Sequence, residues 1–208
     1  MRIIKGLNYY YKLEEMIKEC IRKASENPFE QYIFICEDKH MVEHMFFKHT
    51  HYLVNISIMT WNQYLQSLQV RLHLTKHKVI DPVDYTYYLY TILKHHHFSC
   101  FNTDNPFPLI KDFKSLLKEL ELNETIYELD HKKLSDFMSI YHLLYSYLDE
   151  YTHLCIESFF DHISLNSIQD HLYVEADHLL ETKRMNILKQ FNDVTLLYTS
   201  IDDERLFN

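Results

Sequence analysis

The chain of 208 residues contains a single glycine, Gly6, and only four prolines. Average glycine usage is about 7%, so almost no turn here can draw on a residue that reaches positive φ without steric cost. Two-residue hairpins depend on such residues, which disfavours a hairpin-rich all-β architecture. A G-x-S-x-G nucleophile elbow cannot be written with one glycine, so the serine hydrolases built on it are excluded. Cys20, Cys36, Cys100 and Cys155 are widely spaced with no C-x-x-C pair, and neither a zinc site nor a disulfide framework is signalled. No stretch reaches the ~18 apolar residues of a membrane span. The opening Met1-Arg2-Ile3-Ile4-Lys5 lacks the apolar run of a secretory signal. A reducing cytoplasm, with no membrane partner, is the expected setting. Basic residues are also in deficit: 21 Lys and Arg against 30 Asp and Glu give a formal net charge of −9. Autonomous, non-specific nucleic-acid binding, which rests on phosphate neutralisation, is therefore disfavoured.

What is present reads as strands alternating with helices at both ends. Arg2-Ile3-Ile4-Lys5 is a short apolar strand. A helix then runs from a cap at Asn8 to about Ser25, where Asn27-Pro28 ends it. Tyr32-Ile33-Phe34-Ile35-Cys36 is continuously apolar, as expected of a parallel strand covered on both faces. A helix over roughly 39–48 follows, then Val54 to Ile58 alternates like a strand, and Thr60-Trp61-Asn62-Gln63 forms a capping box. Residues 67–165 read as helical, with no convincing strand. Asp81-Pro82 starts one helix, Pro106-Phe107-Pro108 marks a break, and Leu134 to Leu148 and Ile156 to Ile163 carry apolar stripes. The end returns to strand (His171 to Glu175), helix (with Leu180, Ile187, Leu188 and Phe191) and strand (Val194 to Tyr198). Such an order predicts an α/β fold with one parallel sheet, formed by 1–66 and 166–208 and interrupted by a large all-helical insertion at 67–165.

Gly6 stands where a phosphate-binding loop begins. Laid against G-x-x-x-x-G-K-[ST], the frame keeps Gly6 and Lys12 but puts Tyr11 at the second glycine and Leu13 at the hydroxyl residue. Phosphate cradling needs inward backbone N–H groups and tolerance of positive φ. Tyr9-Tyr10-Tyr11 suits that turn poorly, and Leu13 offers Mg²⁺ no oxygen. Gly6 and Lys12 are thus the candidates of a degenerate nucleotide loop, expected to hold no cofactor.

Other patterns resolve to ordinary structure. His40-Met41-Val42-Glu43-His44 has the H-x-x-E-H spacing of an inverted zincin, but no third ligand accompanies it and fifteen histidines make such pairs common. His95-His96-His97 suits a helix C-terminus. Glu37-Asp38-Lys39 lacks the upstream aspartate of a two-metal nuclease core. Neither a metal site nor a catalytic residue is expected. Lys5, Lys12 and Lys39, at predicted C-terminal strand ends, are candidate phosphate contacts of DNA. Trp61 is a candidate for stacking a base.

The succession of pieces resembles the N-terminal region of AddB, the second subunit of the bacterial AddAB ATP-dependent helicase–nucleases. It is carried by Ile3 to Leu13, Tyr32 to Asp38, Ile56 to Trp61, Leu134 to Leu148 leading to Cys155-Ile156-Glu157-Ser158-Phe159, Leu172 to His178, Met185 to Leu188 and Asp193 to Leu196. The resemblance implies a RecA-like domain of the superfamily-1 helicase type with a helical insertion. It implies a role in DNA break processing and recombinational repair beside an AddA-like motor subunit. The family's loop matches here at Gly6 and Lys12 and departs at Tyr11 and Leu13. Its acidic strand end falls at Glu175, with Ala176 in place of a glycine. The positions after the second and third strands carry Lys39, Met41, Trp61 and Gln63, a poor match to the family's reading of the Chi sequence. The family's nuclease domain and iron–sulfur cysteines lie outside these residues, and the expectation is a piece of a longer subunit or a truncated product. The expected function is therefore a non-catalytic module that scaffolds the motor and lines the DNA path. The alternatives are residual ATP binding or hydrolysis through Lys12, Glu175 and Asp177, and a stand-alone interaction protein.

Overall fold

The computed structural model describes residues 1–5, 8–52, 54–101, 104–123, 131–179 and 181–198. Strand β1 (Arg2–Lys5) leads to helix α1 (Tyr9–Glu26), strand β2 (Tyr32–Ile35), helix α2 (Lys39–Phe47), strand β3 (Ile56–Met59) and helix α3 (Trp61–Arg71). A short strand β4 (Lys78–Val79), helices α4 (Pro82–His95), α5 (Phe107–Asn123) and α6 (His131–Tyr147), strand β5 (Thr152–His153) and a 3-10 turn at Ile156–Phe160 follow. Strand β6 (His171–Glu175), a 3-10 turn at Ala176–His178, helix α7 (Thr182–Lys189) and strand β7 (Asp193–Tyr198) complete the order. The chain divides into two compact units, Met1–Arg71 with His162–Asn208, and Leu72–Asp161.

The first unit is a five-stranded sheet in the order β1-β7-β6-β2-β3. Every neighbouring pair is parallel, with Ile3 opposite Leu196, Phe34 opposite Tyr173 and Ile35 opposite Met59. All four residues of β2 are buried, as a strand covered on both faces requires. One face packs Leu13, Met16, Ile17 and Cys20 of α1, with Val42 and Phe46 of α2, against Phe34, Ile58 and Tyr173. That spacing on α1 is the i, i+3, i+4, i+7 stripe visible in its sequence. Asn8 caps α1 by accepting from the Tyr11 amide at 3.2 Å. Asp38 caps α2 through the Met41 amide at 2.9 Å. The Thr60–Gln63 box at the start of α3 is reciprocal, with bonds of 3.0 and 3.4 Å.

With glycine absent from the α1–β2 turn, a side chain fixes it. The Asn55 amide nitrogen lies within hydrogen-bond distance of the carbonyls of Ala24 (3.0 Å), Asn27 (3.2 Å) and Glu30 (3.1 Å). Next to β6, Asp170 receives both guanidinium nitrogens of Arg71 (2.6 and 3.0 Å) and the Tyr64 hydroxyl (3.1 Å). This fork ties the end of α3 to the residue that enters β6.

The second unit is built on α4, α5 and α6 around Leu89, Ile92, Leu93, Ile110, Phe113, Leu117, Ile140 and Leu144. Asp81 caps α4 ahead of Pro82 and accepts from the Val83 amide at 2.7 Å. This unit also contains a parallel pair, β4 with β5, which the sequence reading lacks because two residues are too few to show alternation. The stripe at Ile156 to Ile163 is a 3-10 turn over Ile156–Phe160, shorter than the helix its spacing suggests. Phe191 lies just beyond α7, and Leu180 lies outside the described residues. Among the described residues, no helix is long and apolar enough to cross a membrane.

Candidate functional site

Parallel sheets bind ligands beyond the C-terminal ends of their strands, where successive crossovers diverge. Here β2 is followed in the sheet by β3 on one side, and β6 by β7 on the other, so the divergence lies between β2 and β6. A crevice of about 180 Å³ opens at that edge, lined among others by Cys36, Glu37, Trp61, Glu175 and Arg184.

Glu175 is the central charge. It ends β6 and is half-buried. The Tyr9 hydroxyl donates to its Oε1, and the Glu37 amide approaches its Oε2 at 3.3 Å. Tyr9 opens α1, just after the loop where the sequence frame expects phosphate, while Glu175 ends the strand two places away in the sheet. Two inter-strand spacings amount to roughly 10 Å, and the long phenol spans the gap. Burial is the larger reason that the Tyr9 hydroxyl holds its proton far more tightly than an ordinary phenol, and the bond to Glu175 adds to it. Tyr9 is therefore a neutral donor at physiological pH. The Cys36 thiol, buried beside the crevice, is pushed up to about 12 by desolvation, with Glu175 adding to the effect. It is held as a thiol, not as a nucleophilic thiolate.

The residues singled out from sequence fall in different places. Gly6 lies outside the described residues. Lys12 is in the first turn of α1, where its ammonium meets Glu15 at 2.9 Å and lies 5.4 Å from the Tyr11 ring centre. Lys5 ends β1 and is exposed. Lys39 opens α2 with its ammonium 3.5 Å from Glu43. None of these lysines is among the lining residues of the crevice. Trp61 lines it, but as the buried first residue of α3, 6% exposed, with its ring centre 6.3 Å from that of Tyr64. Asp177 sits in the 3-10 turn after β6, half-buried. His40 and Glu43 of the H-x-x-E-H pattern approach to 3.7 Å, with the His40 side chain almost wholly exposed. Among the described residues, no group of three or more His, Cys, Asp or Glu could hold a metal ion.

Sequence reasoning missed Tyr9 and Arg184. Tyr9 reads as one of three interchangeable tyrosines, and its partner is 166 residues away. Arg184 sits on α7 and pairs with Glu181 at 3.0 Å, an ordinary i, i+3 pattern with nothing to mark the crevice it borders. The arrangement can hold a carboxylate in a fixed, hydrogen-bonded position. Arg184 borders the same crevice, and the Cys36 thiol beside it is held protonated by burial. No protein-family model matches the chain, and no match was found among curated proteins.

Proposed function

We propose that this chain is a RecA-like module with a helical insertion whose nucleotide chemistry has been replaced by architecture. It works in DNA double-strand-break end processing as part of an AddB-type subunit, docking on an AddA-like motor and lining the path of separated strands. The observation that carries the non-catalytic half of this reading is the Tyr9–Glu175 hydrogen bond. In a motor of this kind the acidic end of the strand polarises water through Mg²⁺; here a phenol from the start of α1 occupies that carboxylate. Lys12, in the frame of the phosphate-binding lysine, is turned to Glu15 along its own helix. The parallel sheet, with an acidic strand end at the divergence of its crossovers, supports the RecA-like assignment, and the order of sequence pieces supports the family.

Equilibrium titration of the chain with a fluorescent ATP analogue and Mg²⁺ tests the non-catalytic half. No saturable binding is expected, and Lys12→Ala should give the same trace as the unaltered chain. Saturable binding that Lys12→Ala removes would establish nucleotide chemistry instead. Co-expression with an AddA-like motor subunit tests the partner. Co-purification is expected, and its absence overturns the scaffolding role.

A further inference from the structure

A second pocket, of about 150 Å³, lies wholly within the helical unit, where the start of α4 meets the end of α6. Two tyrosines wall it: the Tyr88 and Tyr147 rings stack with centres 5.3 Å apart and planes inclined by 23°. Tyr147, the last residue of α6, is 42% exposed. Asp84 stands one turn before Tyr88 on α4, at the i, i+4 spacing that puts both on one face. Asp81, Asp149 and Lys78 also line the pocket.

The three carboxylates are held differently. Asp81 accepts from the Val83 amide at 2.7 Å and so answers the positive end of α4. Oδ1 of Asp149 accepts from the Tyr151 amide at 3.0 Å and the Thr152 hydroxyl at 2.6 Å, and its Oδ2 lies 3.7 Å from the Lys78 ammonium. Asp84 is exposed and has no polar partner among the described residues. Three carboxylates against one ammonium leave the pocket net negative, which disfavours phosphates and favours a cation. The surrounding sequence strengthens that bias: residues 72–161 hold eight Lys, no Arg and fourteen Asp and Glu. Among the described residues no group of three or more His, Cys, Asp or Glu could hold a metal ion, so the cation that fits is organic.

An aromatic pair beside an unpaired carboxylate suits a guanidinium better than an ammonium. The planar group stacks on a tyrosine ring while its N–H edge grips a carboxylate through two parallel bonds. The size agrees: a cavity of about 150 Å³ takes a molecule as large as benzene, and the head and short stem of an arginine are comparable. A free amino acid would also bring its own α-carboxylate into a site rich in carboxylates, which an arginine within a protein chain does not. We propose that this pocket is a docking site for an arginine side chain of a partner protein, with the guanidinium laid on the Tyr147 ring and paired with Asp84. All of its residues lie in the helical unit, so the site stands whether or not the sheet unit belongs to a helicase–nuclease.

Titration of the full chain with N-acetyl-arginine amide, followed by the ring-proton resonances of Tyr88 and Tyr147, tests this. Saturable shifts of both rings are expected, with a Kd of about 1 mM, which a ligand of this size reaches at ordinary efficiency. N-acetyl-citrulline amide, the uncharged isostere, should shift neither ring. Asp84→Asn should weaken binding about tenfold, the lower part of the range for a bond to a charged partner. Tyr147→Leu, which keeps apolar bulk and loses the π face, should weaken it about threefold. The citrulline comparison needs no variant and decides by itself: equal binding of the two amides, or no saturation at about 10 mM, tenfold above a millimolar Kd, overturns the proposal. So does an unchanged affinity in Asp84→Asn. Free arginine should bind more weakly than the amide; tighter binding of the free amino acid would assign the pocket to a metabolite and overturn the partner.

Discussion

The Tyr9 hydroxyl donates to the Glu175 carboxylate across 166 residues of sequence, joining the first turn of α1 to the end of β6. This bond to an ionised acceptor belongs to the stronger class of hydrogen bond. Tyr9→Phe keeps the ring and deletes the donor. The expected loss is about 1–2 kcal/mol, at the lower part of the range for bonds to charged groups because both residues are half-buried. Urea denaturation followed by the fluorescence of Trp61, the only tryptophan and a lining residue of the crevice, measures it. A stability unchanged within error would show that the bond contributes nothing.

Alkali should unfold the chain through its buried phenols. Burial, the leading cause in each case, raises Tyr9, Tyr64, Tyr85, Tyr145 and Tyr173 above the ordinary tyrosine value. A folded-state value above the unfolded one means that the folded protein holds the proton more tightly. Their contribution is complete below about pH 10, the unfolded value, and is lost as pH rises beyond it. Tyrosinate absorbance should climb in two stages, exposed rings first and the rest together with loss of helical circular dichroism. A single smooth titration with the helices intact would contradict this.

Asp170 is 6% exposed and bound by Arg71 and Tyr64. Asp170→Asn removes the charge that Arg71 answers and half of its acceptor capacity. The expected destabilisation is about 2–4 kcal/mol, below the full cost of breaking a wholly buried pair because Arg71 reaches solvent. The shift in urea midpoint relative to the unaltered chain measures it. A loss under about 0.5 kcal/mol, the range of an ordinary surface substitution, would contradict this.

The four cysteines should divide by reactivity. Cys20, Cys36 and Cys155 are buried, and desolvation pushes each thiol up to about 12. Cys100 is half-exposed. Since the thiolate is the reacting form, a maleimide at neutral pH should label Cys100 first, and the other three only when urea unfolds the chain. Mass spectrometry of peptides from the folded protein checks this, and early labelling at Cys36 would contradict it.

His73 stands at φ 57°, the only non-glycine residue with positive φ among those described. It follows α3, where a helix commonly ends on glycine. His73→Gly relieves a left-handed cost of about 1 kcal/mol but gives part of it back as unfolded-chain entropy. A net gain of a few tenths of a kcal/mol is expected by urea denaturation, and a clear loss would show that the His73 side chain has a role of its own.

Local signals made much of both units legible. The stripe on α1, the caps at Asn8 and Asp81 and the Thr60–Gln63 box are each set by residues a few positions apart, so spacing reveals them, whereas Asp38, read from sequence only as part of a strand end, also caps α2. The unbroken apolar run of β2 announced a strand covered on both faces. What spacing could not reveal are contacts between distant segments. Tyr9 with Glu175 and Arg71 with Asp170 each join residues that no periodicity relates. The β4–β5 pair was hidden for the same reason, being held by register across a long excursion and not by its own composition. In the candidate site, the sequence marked Glu175 by its place at a strand end. It marked Lys12 by its place in a frame, and the helix then turned that side chain along its own axis.

Asn55 closes the bend between α1 and β2 from beyond α2 in the sequence, its two amide hydrogens shared among three carbonyls of the bend. The corner of the first βαβ segment is therefore held partly by its own backbone, through the Asn27 and Glu30 amides, and partly by a residue that leads into β3. A sequence nearly devoid of glycine thus trades autonomy of its corners for dependence among its strands.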